Sequence, residues 1–466
     1  MSVISPASIS FDMNIPIAII GAGACGLTAA IMAAREGADV YVFEKDIQIG
    51  GATAMSYGAI CAAGTKIQAE VGLDDTAENL AEDIIAAARG KTDERLAKLM
   101  AEESGPTVDW MIEELAFDLT VEANWTGFGH RCPRLHATPN RSGVELVAML
   151  LDAAQSAGVT VVTQSHVKDL VIDEKTSEVI GFTYESPDGK MTIKCEALIL
   201  ASSGFGANEA LVEKHIPKMA GATFYGCEGH SGDAIIWGEA LGAKMEDLAA
   251  HQGLGTLANP QNFIVPHTLL IDGGVQVNSL GQRFENEIID ISGQAARIIK
   301  EPDAISWVVY DHKGHEKSKR IFAEYRDAEI TKPFKFADDF KTLADLMKID
   351  VKAFTQTMTS IQKIRKTGEA GPFGRVFKKD ASLTPPYYAV RTTGALFHTQ
   401  GGLCVDNKAR VKKADGTSFS TLFAGGGAAR SISGPAQWGY LPGSGLMSAV
   451  TLGRIAGREA VRVITN

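Results

Sequence analysis

Apolar and polar positions along the chain follow two rhythms, one typical of buried strands and one typical of helices. Residues 17–20 form a short apolar run that ends in a glycine-rich loop, residues 27–35 continue as an alanine-rich helical stretch, and Val40–Phe43 is the next apolar run. A strand, a helix and a second strand in this order form one βαβ unit. The pattern therefore predicts a parallel sheet that begins near the N-terminus.

Helical spacing returns further along the chain. We predict a helical region over residues 77–114 that is broken at Gly105 and Pro106, and an amphipathic helix over residues 143–157. Short strands are predicted at residues 159–163, 178–184 and 191–194. Residues 197–206 then repeat the pattern of a buried strand followed by glycine, which indicates that the chain returns to the first sheet.

The composition changes between residues 253 and 372. Strand fragments are followed there by charged helical stretches, at 333–347 and 351–366. Strand and glycine-turn patterns resume at 387–393, 403–406 and 422–427, and a terminal helix is predicted over 447–463. We therefore expect two domains: a discontinuous α/β domain made of residues 1–252 and 373–466, and an inserted domain over 253–372.

The overall composition excludes several classes of partner. The 466 residues carry a formal net charge of -11, which argues against a nucleic-acid surface, and no apolar run approaches the length of a membrane span. The first thirteen residues lack the features of a secretory signal, so we expect a cytoplasmic protein with a small-molecule partner. The six cysteines are scattered without metal-ligand spacing, which predicts reduced thiols and no metal site.

The first glycine-rich loop carries a dinucleotide-binding pattern. Gly21, Gly23 and Gly26 stand between a predicted strand and a predicted helix, and Glu44 closes the second strand. In such a loop the glycines allow a tight turn, close approach to a pyrophosphate and helix-strand packing, while an acidic residue accepts hydrogen bonds from ribose. This loop fits NAD as well as FAD.

A second glycine-rich stretch runs from Gly50 to Gly58 and is of the kind that passes beneath an extended FAD. With it, the chain resembles the flavoprotein family of fumarate reductase, succinate dehydrogenase and 3-ketosteroid dehydrogenase, and its motif style is closest to the ketosteroid branch. The resemblance covers nearly the whole chain. Further motifs that carry it are Ser202-Ser-Gly-Phe205, Ser231-Gly-Asp233, Gly281-Gln-Arg-Phe-Glu-Asn-Glu287, His398-Thr-Gln-Gly-Gly402 and Pro442-Gly-Ser-Gly445.

The resemblance implies a Rossmann-like FAD-binding domain with an inserted α+β capping domain for substrate. It implies that the start of the last helix lies at the flavin pyrimidine edge, and the absence of a family-type attachment histidine implies noncovalent FAD. Relatives often have an acidic or amide side chain where this chain has Gly427, so a ribitol contact must come from elsewhere. The implied cofactor contacts are Gly21, Gly23, Ala24, Cys25, Gly26, Glu44, Lys45, Gly50, Gly51, Ala52, Thr53, Val167, Ser202, Gly204, Asp233, His398, Gly426, Gly427, Gly443, Ser444, Gly445 and Leu446.

The family moves a hydride between flavin N5 and a carbon next to an activating carbonyl. In the fumarate reductases charged residues hold two carboxylates and deliver a proton, and the matching positions here are Ile291, Phe397 and Leu441. A dicarboxylate would lose its counter-ions at these positions, and an unpaired buried charge is costly. The tyrosines that act in the ketosteroid dehydrogenases would also fall at Ile291 and Leu441, and both are absent.

Other residues are candidates for the proton and carbonyl chemistry. Tyr57 and Tyr440 can each donate a hydrogen bond to a ketone or serve only as packing, and Asp290 and Ser292 flank the lost donor position. His251 matches a histidine that lines the dicarboxylate pocket of relatives, and the other interpretation is a structural histidine.

The densest basic run, residues 130–141, is either a solvated face or a source of substrate contacts, for which we name Arg141 and His136.

The leading interpretation is an FAD-dependent oxidoreductase acting on CH-CH groups that desaturates or reduces a carbonyl-activated, cyclic, non-dicarboxylate substrate. Three alternatives stay open: reductive dehydroxylation or ring opening of a polyphenolic ketone, fumarate or succinate chemistry, and a flavin-binding redox subunit or sensor without its own substrate. The sequence shows neither a haem motif nor a second dinucleotide fingerprint. Electrons are therefore expected to pass to or from a quinone, another flavoprotein or a small carrier.

Overall fold

The structure is a computed structural model that describes residues 2–6, 9–377 and 382–465. The predicted domain segments 1–252 and 373–466 therefore include residues that lie outside the described ones, namely Met1, residues 7–8 and 378–381, and Asn466. The strands are β1 (Ser2–Ile4), β2 (Met13–Ile20), β3 (Val40–Phe43), β4 (Ala59–Cys61), β5 (Thr120–Val121), β6 (Leu135–Ala137), β7 (Thr160–Val162), β8 (His166–Ile172), β9 (Val179–Ser186), β10 (Gly189–Leu200), β11 (Thr223–Phe224), β12 (Met245–Glu246), β13 (His251–Ala258), β14 (Val275–Asn278), β15 (Ser306–Asp311), β16 (Lys335–Ala337), β17 (Tyr387–Thr399), β18 (Gly402–Leu403), β19 (Arg410–Lys412) and β20 (Ser418–Ala424).

The helices connect these strands and cover the faces of the sheets. They are α1 (Ala24–Arg35), α2 (Gly51–Ala54), α3 (Lys66–Glu70), α4 (Ala77–Ala87), α5 (Glu94–Glu113), α6 (Gly143–Ser156), α7 (Glu209–His215), α8 (Asp233–Ala240), α9 (Thr268–Ile271), α10 (Ile291–Ile298), α11 (His312–Ile321), α12 (Ala323–Asp327), α13 (Phe340–Met347), α14 (Val351–Thr367) and α15 (Ser444–Thr465). Within the described ranges, no helix is both long enough and apolar enough to cross a membrane.

The chain divides into two compact units. The first contains Met1–Ile216, Gly226–His251 and His398–Asn466, and the second contains Pro217–Tyr225 and Gln252–Phe397. The second unit extends beyond the predicted insert of residues 253–372, because its sheet includes most of the long strand β17 and because the short strand β11 pairs with β17.

The first unit is built on a sheet with the strand order β1-β8-β9-β10-β2-β3-β7. Strand β2 pairs in parallel with β3 and β10, and β20 joins the sheet beside the last residues of β10. Helix α15 packs on α1 with the two backbones in close approach, since a Cβ at Gly453 would lie 2.5 Å from the Cys25 carbonyl oxygen. This arrangement confirms the α/β class and the predicted βαβ unit.

The second unit has a mostly antiparallel sheet in which β17 pairs with β11, β13, β15 and β16, and β14 follows β15. Two apolar clusters fill it, one against α13 and α14 and one against α9 and α12. The predicted helix over 333–347 is wrong at its start, because residues Lys335–Ala337 pair with β17 as strand β16 and helix α13 begins only at Phe340.

The predicted helix break at Gly105 and Pro106 is also wrong. Helix α5 runs through both residues, and Gly105 packs so closely that a Cβ would lie 2.4 Å from the Ala63 carbonyl oxygen. The interruption comes earlier, where Arg89 and Gly90 take left-handed backbone angles and Asp93 then caps α5. Tertiary packing on one side of α5 therefore outweighs the hydrogen bond lost at the proline.

Candidate functional site

The first glycine loop has a backbone that few other residues permit. Gly21 has φ +105°, and a Cβ there would lie 2.5 Å from the Ala201 carbonyl oxygen, while a Cβ at Gly26 would lie 1.9 Å from the Gly21 carbonyl oxygen. At Gly23 the nearest atom to an added Cβ is the Thr53 hydroxyl, at 3.6 Å. Gly21 and Gly26 therefore allow the strand, the loop and the helix to pack closely, and Gly23 leaves room for a ligand.

The carboxylate of Glu44 is held against this loop. Glu44 is 9% exposed, and its two oxygens accept hydrogen bonds from the Ala22 amide at 2.8 Å and the Asp46 amide at 3.1 Å. Next to it, the Lys45 ammonium donates to the Gly229 carbonyl oxygen at 2.8 Å and the Ser231 hydroxyl at 2.6 Å. An acidic group is therefore fixed at the end of β3, where the motif predicts a ribose acceptor.

The second glycine stretch is tied to the first. Gly50 and Gly51 have φ +133° and +49°, and α2 begins at Gly51, with Ala52 exposed and Thr53 buried. The Thr53 hydroxyl accepts a hydrogen bond from the Ala24 amide at 2.9 Å. The two loops that are predicted to bind FAD are therefore linked by a direct side-chain contact.

A third glycine turn explains the missing side chain at position 427. Gly426 has φ +58°, and a Cβ at Gly427 would lie 2.9 Å from the Gly204 amide nitrogen. A Cβ at Gly204 would in turn lie 2.1 Å from the Thr399 hydroxyl. The backbones of these segments pack too closely for the acidic or amide side chain that relatives often have here. The hydroxyl of Ser202 is nearby in the chain and is buried without a hydrogen-bond partner among the described residues.

The start of helix α15 also fits a ligand. Gly443 has φ +78°, and the Ser444 hydroxyl is buried with no partner in the part of the chain that the structure describes. A Cβ on Gly445 would meet nothing within 4 Å. A helix N-terminus offers unpaired amides and the positive end of the helix dipole, so an orphaned hydroxyl and open space at this point suit an anionic or electron-rich group.

The remaining predicted cofactor residues differ in their burial and in their contacts. Asp233 begins α8 and accepts a hydrogen bond from the Ser231 hydroxyl at 2.6 Å. Val167 is 2% exposed within β8 and Cys25 is buried in α1, and their contacts with FAD stay a prediction. The His398 ring lies 5.8 Å from the Tyr440 ring in an edge contact, and burial lowers the pKa of His398 to about 4.

Arg141, a predicted substrate contact, and Tyr57, a predicted catalytic residue, form one exposed group on the first unit. The Arg141 guanidinium donates to both carboxylate oxygens of Glu122, and Arg141 has a left-handed backbone with φ +52°. Tyr57 is 51% exposed. Burial raises the pKa of Tyr57, while the nearby Arg141 cation opposes that rise. The phenol, the guanidinium and the carboxylate thus lie within electrostatic reach of one another.

His136 does not support the predicted substrate contact. It is fully buried, with Nε2 2.8 Å from the Thr65 hydroxyl and Nδ1 3.0 Å from the Arg134 carbonyl oxygen. Burial lowers the pKa of His136 to about 4. Both nitrogens are occupied by the protein itself, so His136 is a structural residue of the β4-β6-β5 sheet.

The basic run as a whole is not a free cationic surface. Arg134 is fully buried and binds Asp75 at 2.6 and 2.9 Å and Asp83 at 2.6 Å. Arg131 also binds Asp83, at 2.8 Å. The carboxylates of Asp75, just before α4, and Asp83, on α4, therefore neutralise Arg131 and Arg134, to which the sequence pattern assigned no individual role.

In the second unit, Asp290 caps helix α10 by accepting a hydrogen bond from the Gly293 amide at 2.8 Å. Ile291 is then the first residue of that helix, and Ser292 is buried. Lys218 interacts electrostatically with Asp290, which opposes the lowering of the pKa of Lys218 by burial. The cap gives Asp290 a structural role, and its proposed proton transfer stays a prediction.

Phe397 belongs to an aromatic pair that the sequence did not reveal. Its ring lies 5.6 Å from the ring of Tyr225, and the Tyr225 hydroxyl donates to Glu324 at 2.9 Å. The two aromatic residues meet because β11 pairs with β17, although the two strands lie near opposite ends of the second unit's sequence range.

Two further predicted residues lie in the first unit and are buried. His251 is fully buried and its Nδ1 lies 2.9 Å from the Ala249 carbonyl oxygen, and Leu441 is 2% exposed.

Three glycine-rich segments, a fixed acidic residue and a helix start therefore occur together in the first unit, as in a flavin-binding oxidoreductase. The family model described as FAD binding domain matches residues 17–446, so the chain belongs to that family. A probable fumarate reductase of Shewanella frigidimarina is 27% identical, over 96% of this chain and 74% of that relative. The presence of FAD and the oxidoreductase class, both expected from the sequence, are thereby confirmed.

Two solved structures are similar over nearly the whole chain. The open conformation of a flavocytochrome c3 fumarate reductase has a TM-score of 0.87 and 26% identity, covering 98% of this chain and 80% of that one. The 3-ketosteroid-Δ4-(5α)-dehydrogenase of Rhodococcus jostii, solved with 4-androstene-3,17-dione, has a TM-score of 0.76 and 25% identity, covering 99% and 100%. These likenesses confirm the resemblance to the fumarate reductase family and its ketosteroid branch.

Proposed function

We propose that this oxidoreductase desaturates or reduces the carbon pair next to a carbonyl in a cyclic substrate that is not a small dicarboxylate. The observation that carries the proposal is the apolar character of Ile291, Phe397 and Leu441 at positions where dicarboxylate reductases carry charge. Bound FAD supplies the chemistry of hydride transfer at such a carbon. The residues of the chain must position the ring, polarise the carbonyl and handle the proton.

The charges of the basic run support the exclusion of dicarboxylates. Arg134 is committed to Asp75 and Asp83, and Arg141 is paired with Glu122. Neither arginine is therefore a free counter-ion for a fumarate dianion, and an unpaired buried charge is unfavourable.

The aromatic residues support a cyclic substrate. Phe397 and Tyr225 present ring surfaces in the second unit, and the hydrogen bond from Tyr225 to Glu324 limits its rotation. In the first unit, burial raises the pKa of Tyr440 to about 12, so its phenol stays protonated and can donate a hydrogen bond to a carbonyl oxygen. We assign carbonyl polarisation to Tyr440 and proton exchange to the more exposed Tyr57.

The relatives support the proposal without specifying the substrate. One solved relative acts on a steroid ketone, by its printed name, and others are fumarate reductases. The match to the FAD-binding family, combined with apolar residues in the carboxylate positions, favours the ketone. We also propose an external electron carrier, because none of the motifs in the chain indicates a second redox group.

The proposal can be tested by stopped-flow mixing of oxidised and photoreduced protein with cyclic ketones, cyclic enones, fumarate and succinate, with flavin absorbance as the readout. We expect a cyclic ketone or enone to change the flavin spectrum quickly, and Tyr440→Phe to slow that change about 10²-fold or more, the usual cost of removing a hydrogen-bond donor that stabilises a developing oxyanion. Rapid reaction with fumarate and none with the cyclic compounds would refute the proposal.

A further inference from the structure

The turn before helix α15 is held by a buried histidine. His130 is 8% exposed, and its Nε2 lies 3.0 Å from the Pro442 carbonyl oxygen. A carbonyl oxygen only accepts hydrogen bonds, so Nε2 must carry the proton and donate it. One hydrogen bond therefore connects the 127–130 segment to the residue two positions before the helix.

The other side of the imidazole is fixed by the buried arginine. Arg134 Nη1 lies 3.4 Å from His130 Nδ1, and the same guanidinium is held by Asp75 and Asp83. A guanidinium only donates, so Nδ1 accepts and the tautomer of His130 is set. Burial, together with the Arg134 cation, lowers the pKa of His130, which keeps the ring neutral at neutral pH.

The turn at Leu441 and Pro442 packs tightly against the 127–130 segment. A Cβ on Gly127 would lie 2.8 Å from His130 Cδ2 and 3.4 Å from Pro442 Cβ, and a Cβ on Gly129 would lie 2.6 Å from Leu441 Cδ2. From β4, the Cys61 amide donates to the Gly443 carbonyl oxygen at 3.3 Å. The backbone before α15 is therefore fixed by contacts from two separate segments, residues 127–130 and Cys61.

The helix that follows has the features of a ligand site. Helix α15 is 22 residues long, the Ser444 hydroxyl at its first position is buried without a partner among the described residues, and Gly445 faces open space. We propose that His130 is a positioning residue that sets where this helix start lies against bound FAD, with Arg134 and its two carboxylates as the rigid support. This proposal concerns the cofactor alone and does not depend on the proposed substrate.

The expected consequence is on the relative affinity for reduced and oxidised FAD. Negative charge that accumulates on reduction is stabilised by the amides and the dipole of a nearby helix N-terminus. If the Pro442 turn moves, part of that stabilisation is lost, and the reduced cofactor is bound less tightly relative to the oxidised one.

The test uses the holoenzyme with three variants. His130→Phe removes the donor but keeps a ring, and His130→Gln keeps an N–H donor near the position of Nε2. Phe128→Leu is a matched control in the same segment, because the Phe128 side chain is 71% exposed. The flavin midpoint potential is measured by dye equilibration, together with the flavin absorbance spectrum. For His130→Phe we expect about a tenfold loss of affinity for reduced relative to oxidised FAD, equivalent to a potential about 30 mV more negative.

His130→Gln and Phe128→Leu should each stay within about twofold of the unmodified protein. A thermal melt of each variant after removal of FAD reports whether the fold is intact. If His130→Phe does not fold, Gly127→Ala provides a second perturbation, because its methyl group would push between His130 and Pro442. A folded His130→Phe or Gly127→Ala with unchanged potential and spectrum would overturn the proposal, and so would an equal shift in Phe128→Leu.

Discussion

Acid should destabilise the first unit through His136, and the size of the effect follows from its burial. The imidazole is fully buried between Thr65 and the Arg134 carbonyl, and its pKa falls from 6.5 to about 4. The unfolded chain therefore binds more protons than the folded chain between these values. The stabilisation is fully present above pH 6.5 and is lost as the pH falls towards 4.

A pKa difference of this size is equivalent to about 3 kcal/mol at full protonation, and to about 2 kcal/mol between pH 7 and pH 4.5. We would measure the free energy of unfolding by urea denaturation, with excess FAD, for the natural protein and for His136→Gln at both pH values. The comparison at pH 7 gives the cost of the lost packing, and the change between the two pH values isolates the proton. The natural protein should lose about 2 kcal/mol more than the variant on acidification. Equal losses would refute the assignment of a buried, neutral His136.

Four further outcomes are expected. Gly26→Ala should cost about 1–3 kcal/mol of stability and lower the FAD content, because its methyl group would overlap the Gly21 carbonyl. Thermal unfolding and flavin absorbance measure the two effects, and an unchanged melt with full FAD content would contradict the close packing. Arg134→Met should cost about 3–5 kcal/mol in urea denaturation, since it leaves the buried carboxylate of Asp75 without its cation and removes one of the two arginines that bind Asp83; a loss below 1 kcal/mol would contradict this. Glu122→Gln should change stability by less than about 1 kcal/mol, because the ion pair with Arg141 is partly exposed, while lowering KM for anionic cyclic substrates in steady-state assays; a higher KM would argue against Arg141 as a substrate contact. Acid precipitation should give a colourless pellet and a yellow supernatant, and a yellow pellet would show that FAD is attached covalently.

The parts of the site that the sequence predicted well are local in the chain. Gly21 and Gly26 can be read from a motif because a strand end, a tight turn and a helix start lie within a few residues of each other, and Glu44 follows at the end of the next strand of the same βαβ unit. The same holds for the turn at Gly443, where a positive φ precedes a long helix. Short-range backbone geometry limits these positions to few residue types, so the residue pattern alone predicts the local structure.

The parts that the sequence missed depend on contacts between distant segments. The partners of Arg134, at Asp75 and Asp83, lie more than 50 positions before it, and no spacing rule connects them. The basic run could therefore be taken for a source of substrate contacts, when most of its charge is neutralised inside the first unit. Tyr225 meets Phe397 only through sheet pairing, which the short strand β11 did not signal.

The measurement that tests the central claim most directly is a single turnover of photoreduced protein with equal concentrations of fumarate or a cyclic enone, followed by the return of oxidised flavin absorbance. The apolar positions Ile291, Phe397 and Leu441 predict that the enone reoxidises the flavin at least ten times faster than fumarate does. Faster reoxidation by fumarate would show that a dicarboxylate site persists without these charges, and would contradict the account.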